Sequence, residues 1–185
     1  EGKAIGGGTP VFNHEQLEYM ELAGKTYYQL DRPLNSNNRI VAKFTRDLSN
    51  TIGLFGQANY NTNTGDSFGI YIGPSSYNNG RIHCEYGTYS GNDKMVSTLK
   101  TELVLDANKE QWKFTDFSGA SVVSVTFTAK EFTNAYNCYV GATLWNSDWK
   151  MGLRGRLYYM NIYEGADLLY SLVPVKTSTG IVTLF

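Results

Sequence analysis

Cysteine is nearly absent from this chain: Cys84 and Cys138 are the only two. So low a count excludes a disulfide-dense scaffold. No Cys-x-x-Cys spacing exists, so a structural zinc site has no ligand set. The pair leaves open either one disulfide between the sheets or two buried free thiols. Histidine is equally scarce, with only His14 and His83. Cys84 follows His83 directly, so on a strand the two side chains point to opposite faces and form no dyad. No Gly-x-Ser-x-Gly elbow and no glycine-rich phosphate loop entering a helix is present. Charge of one sign is also lacking: 16 basic and 17 acidic residues leave a formal net charge of -1. That balance gives nucleic acid or an anionic membrane no electrostatic handle. No apolar run approaches the ~20 residues that a membrane-spanning helix needs.

Aromatic residues and glycine are abundant instead. Fourteen Tyr, nine Phe and three Trp stand among 19 Gly. Aromatic and β-branched side chains suit a pleated, half-buried surface, and glycine supplies the turns between strands. The apolar period is two. Ile40, Ala42 and Phe44 share one face of 39–45 while Arg39, Lys43 and Thr45 share the other. Trp112 and Phe114 alternate with Gln111, Lys113 and Thr115, and Val123, Val125 and Phe127 alternate with Ser124, Thr126 and Thr128. Such segments have one core face and one solvated face, the habit of antiparallel sheets. Further strands are expected over 17–22, 26–30, 51–59, 67–72, 81–86, 101–105, 138–144, 155–163 and 168–175, with a single helical turn over 131–135. Asn- and Gly-rich connections separate them, among them Leu34-Asn35-Ser36-Asn37-Asn38 and Tyr77-Asn78-Asn79-Gly80. Many short strands at such spacing read as an all-β sandwich over 11–185. The polar, glycine-rich residues 1–10 read as a flexible linker from a longer polypeptide.

Four segments resemble a known family. Leu17-Glu18-Tyr19-Met20-Glu21-Leu22-Ala23-Gly24-Lys25-Thr26-Tyr27-Tyr28 is similar to the opening of laminin-G-like domains in bacterial surface, secreted and phage-tail proteins. Gly155-Arg156-Leu157-Tyr158-Tyr159-Met160-Asn161-Ile162-Tyr163-Glu164 resembles a late strand of that family. The segments around Val173-Pro174-Val175 and Gly180–Phe185 resemble its close. The chain departs from the pattern at Thr26, Gln29, Tyr170 and Ser171, and residues 59–149 carry no match. The resemblance implies an antiparallel two-sheet jelly roll, concanavalin A-like. It also implies an appended, extracellular or cell-surface module that binds glycans or other surface ligands. The ligand itself is not transmitted by a fold.

The same sandwich supports glycoside hydrolases, which need two carboxylates flanking the scissile bond. Glu102 and Asp106 fall four apart around Val104, a poor match to a glucanase strand and better read as solvated outer-face charges. No enzyme is therefore expected. Calcium requires six to eight oxygens, and Asp66, Asp93 and Asp148 stand singly in polar turns, so no cofactor is expected. Sugar rings stack on Trp and Tyr while amides, carboxylates and guanidinium groups bond the hydroxyls. The stretch with that chemistry is Trp145-Asn146-Ser147-Asp148-Trp149, joined by Tyr77, Asn79 and Arg81 and by Tyr89. Trp112 is assigned to the core. The expected function is a non-catalytic, lectin-like module whose partner is a glycan or polysaccharide. The alternative is a structural or protein-interaction domain of a cell-surface or phage-tail assembly.

Overall fold

The computed structural model describes residues 14–50, 52–58, 66–72, 80–88, 93–128, 131–132, 137–145 and 149–185. In chain order the strands are β1 (His14–Gln16), β2 (Met20–Ala23), β3 (Tyr28–Gln29), β4 (Asn38–Thr45), β5 (Ile52–Ala58) and β6 (Asp66–Ile72). Next come β7 (Arg81–Thr88), β8 (Asp93–Ser97), β9 (Glu102–Ala107), β10 (Gln111–Thr115), β11 (Ser121–Thr126) and β12 (Tyr139–Val140). The last are β13 (Ala142–Trp145), β14 (Trp149–Gly152), β15 (Arg154–Glu164), β16 (Asp167–Leu172), β17 (Pro174–Thr177) and β18 (Val182–Leu184). No helix occurs among the described residues, and none is long and apolar enough to cross a membrane.

Two large sheets carry the fold. One runs β11-β10-β9-β4-β15-β16, with β2 also on β15; the other runs β14-β13-β5-β6-β7-β8, with β12 also on β5 and β3 on β12. Their pairings are antiparallel except for a short parallel contact of β13 with β5. Alternation dictates the packing. Ile40, Ala42 and Phe44 of β4 and Leu103, Leu105 and Ala107 of β9 are fully buried, facing Phe68, Ile70, Ile82 and Cys84 of the other sheet. Trp112 is fully buried, as expected, and its ring meets Phe127, Phe68 and Phe55 at centroid distances of 5.2, 5.7 and 6.0 Å. Each such pair adds ~0.5–1.5 kcal/mol beyond area burial. Both cysteines are buried and not disulfide-bonded, which removes the inter-sheet disulfide. Burial pushes the Cys138 thiol up to about 12.

Three expected strands differ. The segment 138–144 is two strands, because Gly141 takes a left-handed φ of 78° between β12 and β13. Residues 168–175 divide at Val173, since Pro174 lacks the N–H a continuing ladder needs. The chain then crosses into a small third sheet, β1-β17-β18. Residues 26–30 keep only β3. Residues 133–135 of the expected helical turn lie outside the described residues, as do residues 1–13, which include the expected linker.

Several tyrosines cover the outside of the β4-containing sheet. A register shift in β15 between Leu157 and Tyr159 marks a bulge at Tyr158, whose ring lies 5.6 Å from Tyr19 and 5.2 Å from Phe117. The Lys43 ammonium sits over Phe117 and Tyr158 at 4.4 and 4.9 Å, held by their ring faces.

Candidate functional site

Strand direction decides which candidate residues can meet. Leu144, Gln57, Phe68 and Tyr86 form one row across the β5-containing sheet. Just beyond that row the segments 59–65, 89–92 and 146–148 leave the ends of β5, β7 and β13, all at one end of the sandwich. Trp145 and Trp149 are Cα partners that close the β13–β14 hairpin there, so they are strand residues flanking a three-residue connection. Asn146 and Asp148 within that connection, and Tyr89 just after β7, lie outside the described residues. Arg81 opens β7 opposite Ser97 at the other end, five residues before Tyr86, about 17 Å along the strand. Tyr77 and Asn79, outside the described residues, belong to the connection entering that same end. The candidate set is therefore divided between two ends, with Trp145, Asn146, Asp148, Trp149 and Tyr89 on one side and Tyr77, Asn79 and Arg81 on the other.

The Trp end holds a second feature. Tyr86 donates to the Ser36 carbonyl at 3.0 Å, and Phe132 packs its ring on Tyr86 at 4.8 Å and on Phe68 at 5.8 Å. These contacts seat the turn 35–38 at the end from which β4 starts. A cleft of about 520 Å³ opens beside it, walled by Asn37, Asn38 and Arg39, by the β9–β10 turn Asn108-Lys109-Glu110, and by Glu164 and Gly165 after β15. A smaller cleft of about 350 Å³ shares Ser36 and Asn37 and adds Glu131 and Phe132.

The walls are rigid because short polar side chains bond the backbone. The Asn35 amide N–H donates to Asn38 Oδ1 at 2.7 Å, and Asn37 N–H donates to Asn35 Oδ1 at 2.8 Å. Asn35 Nδ2 donates to Glu164 Oε1 at 2.9 Å, and Asn38 Nδ2 to the Tyr163 carbonyl at 3.1 Å. Asn108 Oδ1 accepts from the N–H groups of Glu110 and Gln111, both at 2.8 Å. Arg39 is committed elsewhere, donating Nε and Nη2 to the two Asp106 oxygens at 2.7 Å each, which raises its pKa. Asp106 is thus an outer-face ion-pair partner. Burial, followed by the nearby Glu131 carboxylate, pushes the Tyr86 phenol upward and keeps it protonated. The sequence named the 35–38 segment only as a turn. Its role as a wall depends on Glu164, 129 positions away, and no local spacing signals that.

At the opposite end a buried cation joins the two sheets. Arg46, 3% exposed, donates Nε to the Lys100 carbonyl at 2.9 Å, Nη1 to the Gly80 carbonyl at 3.4 Å and Nη2 to the Thr98 carbonyl. It thereby ties β4 to the β7 and β8 termini of the facing sheet. Burial lowers its pKa to about 10, still a full cation at neutral pH. No cluster of three or more His, Cys, Asp or Glu able to hold a metal occurs among the described residues.

No protein-family model and no curated protein matches the sequence. Solved structures do. A carbohydrate-binding module, CBM40, of the Ruminococcus gnavus IT-sialidase superposes with a TM-score of 0.52 at 15% identity, over 84% of this chain and 94% of that one. The same module bound to α2,3-sialyllactose gives 0.51 at 17%, over 84% and 93%. Domains LG4-5 of the mouse laminin α1 chain give 0.54 at 16%, over 84% of this chain and 44% of that one. The chain has the laminin-G-like jelly-roll fold. In this jelly roll the two N-terminal and C-terminal motifs become β2 and β15, neighbours in one sheet.

Proposed function

We propose that this laminin-G-like jelly roll is a non-catalytic carbohydrate-binding module of a larger extracellular protein, with its sugar site at the Trp end. The carrying observation is the register: Trp145 and Trp149 sit opposite each other at the end that also holds the Asn-walled cleft. In this reading Asn146, Asp148 and Tyr89 contribute from the adjoining connections. The solved CBM40 of the same fold, bound to sialyllactose, supports glycan binding as the class of activity.

The non-catalytic part is supported by access. Glu85 and Asp93 are Cα partners across β7 and β8. Glu85 is 1% exposed, so a glycosidic bond cannot reach it. Affinity electrophoresis through gels containing individual polysaccharides tests the proposal. At least one polysaccharide should retard the protein, and Trp149→Ala should abolish the retardation with the thermal midpoint unchanged. A chain that no polysaccharide retards would instead favour the protein-interaction reading. That reading draws on Ile181, Val182 and Phe185, exposed at 62, 43 and 50% beside the third sheet.

A further inference from the structure

The 520 Å³ cleft carries a specific chemistry of its own. Its volume falls in the range of small-ligand pockets, and a cleft between rigid turns is already formed before any ligand arrives. Asn35 and Asn38 have both ends of their amides engaged in building the wall. Other groups keep capacity toward the cleft among the described residues. The Asn37 side-chain amide and the Glu110 carboxylate have no partner there, and Glu164 keeps the oxygen that Asn35 does not use. Asn108 Nδ2 and Lys109 Nζ add donors, the latter only 4.0 Å from Glu131. Alternating carboxylate acceptors and amide or ammonium donors match the paired hydroxyls of a sugar ring, each hydroxyl being both donor and acceptor.

The charge balance selects among sugars. Glu110, Glu131 and Glu164 surround the two adjoining clefts. Against them stand Lys109 and Arg39, and Arg39 is already neutralised by its bidentate pair with Asp106. Among the described residues, a ligand carboxylate or sulfate placed there would meet an excess of negative charge and no uncommitted guanidinium fork. We infer that this cleft is a glycan subsite for neutral, hydroxyl-rich sugars and rejects sialylated or sulfated ones. The inference rests on the proposed carbohydrate-binding function and names its substrate class. It sets this chain apart from the sialyllactose-bound module of the same fold.

The test is a titration of the whole chain, followed by ¹⁵N–¹H spectra. The probes are neutral hexasaccharides of β1,4-glucose, β1,4-mannose, β1,4-xylose and N-acetyllactosamine repeats, with α2,3-sialyllactose and a heparin hexasaccharide as acidic probes. At least one neutral probe should shift the amides of 36–38, 108–110 and 164–165, and the acidic probes should leave them in place. Asn37→Ala and Glu110→Gln should each weaken that neutral binding tenfold or more without changing the thermal midpoint. Neutral binding that both variants leave intact, or acidic probes that bind the cleft as well as neutral ones, would overturn the inference while sparing the carbohydrate-binding reading. Silence of every amide toward every probe would overturn both.

Discussion

The two ends of this sandwich are built by opposite means. At one end a single buried guanidinium bridges the sheets by donating to three backbone carbonyls, and Gly80 fits beneath it. A Cβ on Gly80 would lie 2.3 Å from the Thr98 oxygen and 3.0 Å from the Arg46 guanidinium. At the other end asparagines hold their own turns and leave a cleft between them. A long cation that spends its donors on backbone carbonyls joins two sheets. Short amides that bond locally shape a surface and leave neighbouring groups available. The two ends of one core thus differ in how their polar groups are spent.

The comparison is broken most directly at Arg46. Arg46→Ala leaves three inward carbonyls without their donor, and we expect a loss of about 3 kcal/mol in urea unfolding. Asn37→Ala at the opposite end should stay within about 0.5 kcal/mol. Equal losses would mean the two ends do not divide the work.

Acid sharpens the same contrast. Asp47 and Asp116 both lie at the Arg46 end, and hydrogen bonds hold both carboxyls below the ordinary carboxylate range. The Ser49 hydroxyl is the main cause for Asp47 and the Ser118 hydroxyl for Asp116. A group whose folded pKa is depressed adds stability that is present above its unfolded pKa and lost as pH falls through the folded one. Amide protection should therefore be lost first around 47–50 and 116–120 as pH drops below about 4. Asp47→Asn with Asp116→Asn should flatten that dependence.

The smallest effect belongs to the ion pair Arg39–Asp106, whose side chains are 47 and 41% exposed. A double-mutant cycle should give about 0.2–1 kcal/mol, shrinking as salt is added. A larger coupling would place Arg39 in the support of the cleft rather than on its rim.

The core was legible in the sequence because alternation alone assigns it. Trp112 and Phe114 read as inward from their polar neighbours, and both are fully buried. The breaks at Gly141 and Pro174 were harder, since apolar residues continue across both and only backbone geometry or a missing N–H interrupts the ladder. The site was legible only in residue type. Trp145 and Trp149 drew attention as a pair, yet sequence order could not show that Arg81 would stand at the far end. That depends on the alternating directions of β6, β7 and β8. The cleft was invisible for a related reason, because its walls come from segments near 37, 109 and 164.

The most direct measurement compares Trp149→Ala with Arg81→Ala in polysaccharide affinity electrophoresis. The first variant should migrate unretarded while the second is retarded like the parent chain. Loss of retardation with Arg81→Ala and its survival with Trp149→Ala would contradict a recognition site at the Trp end.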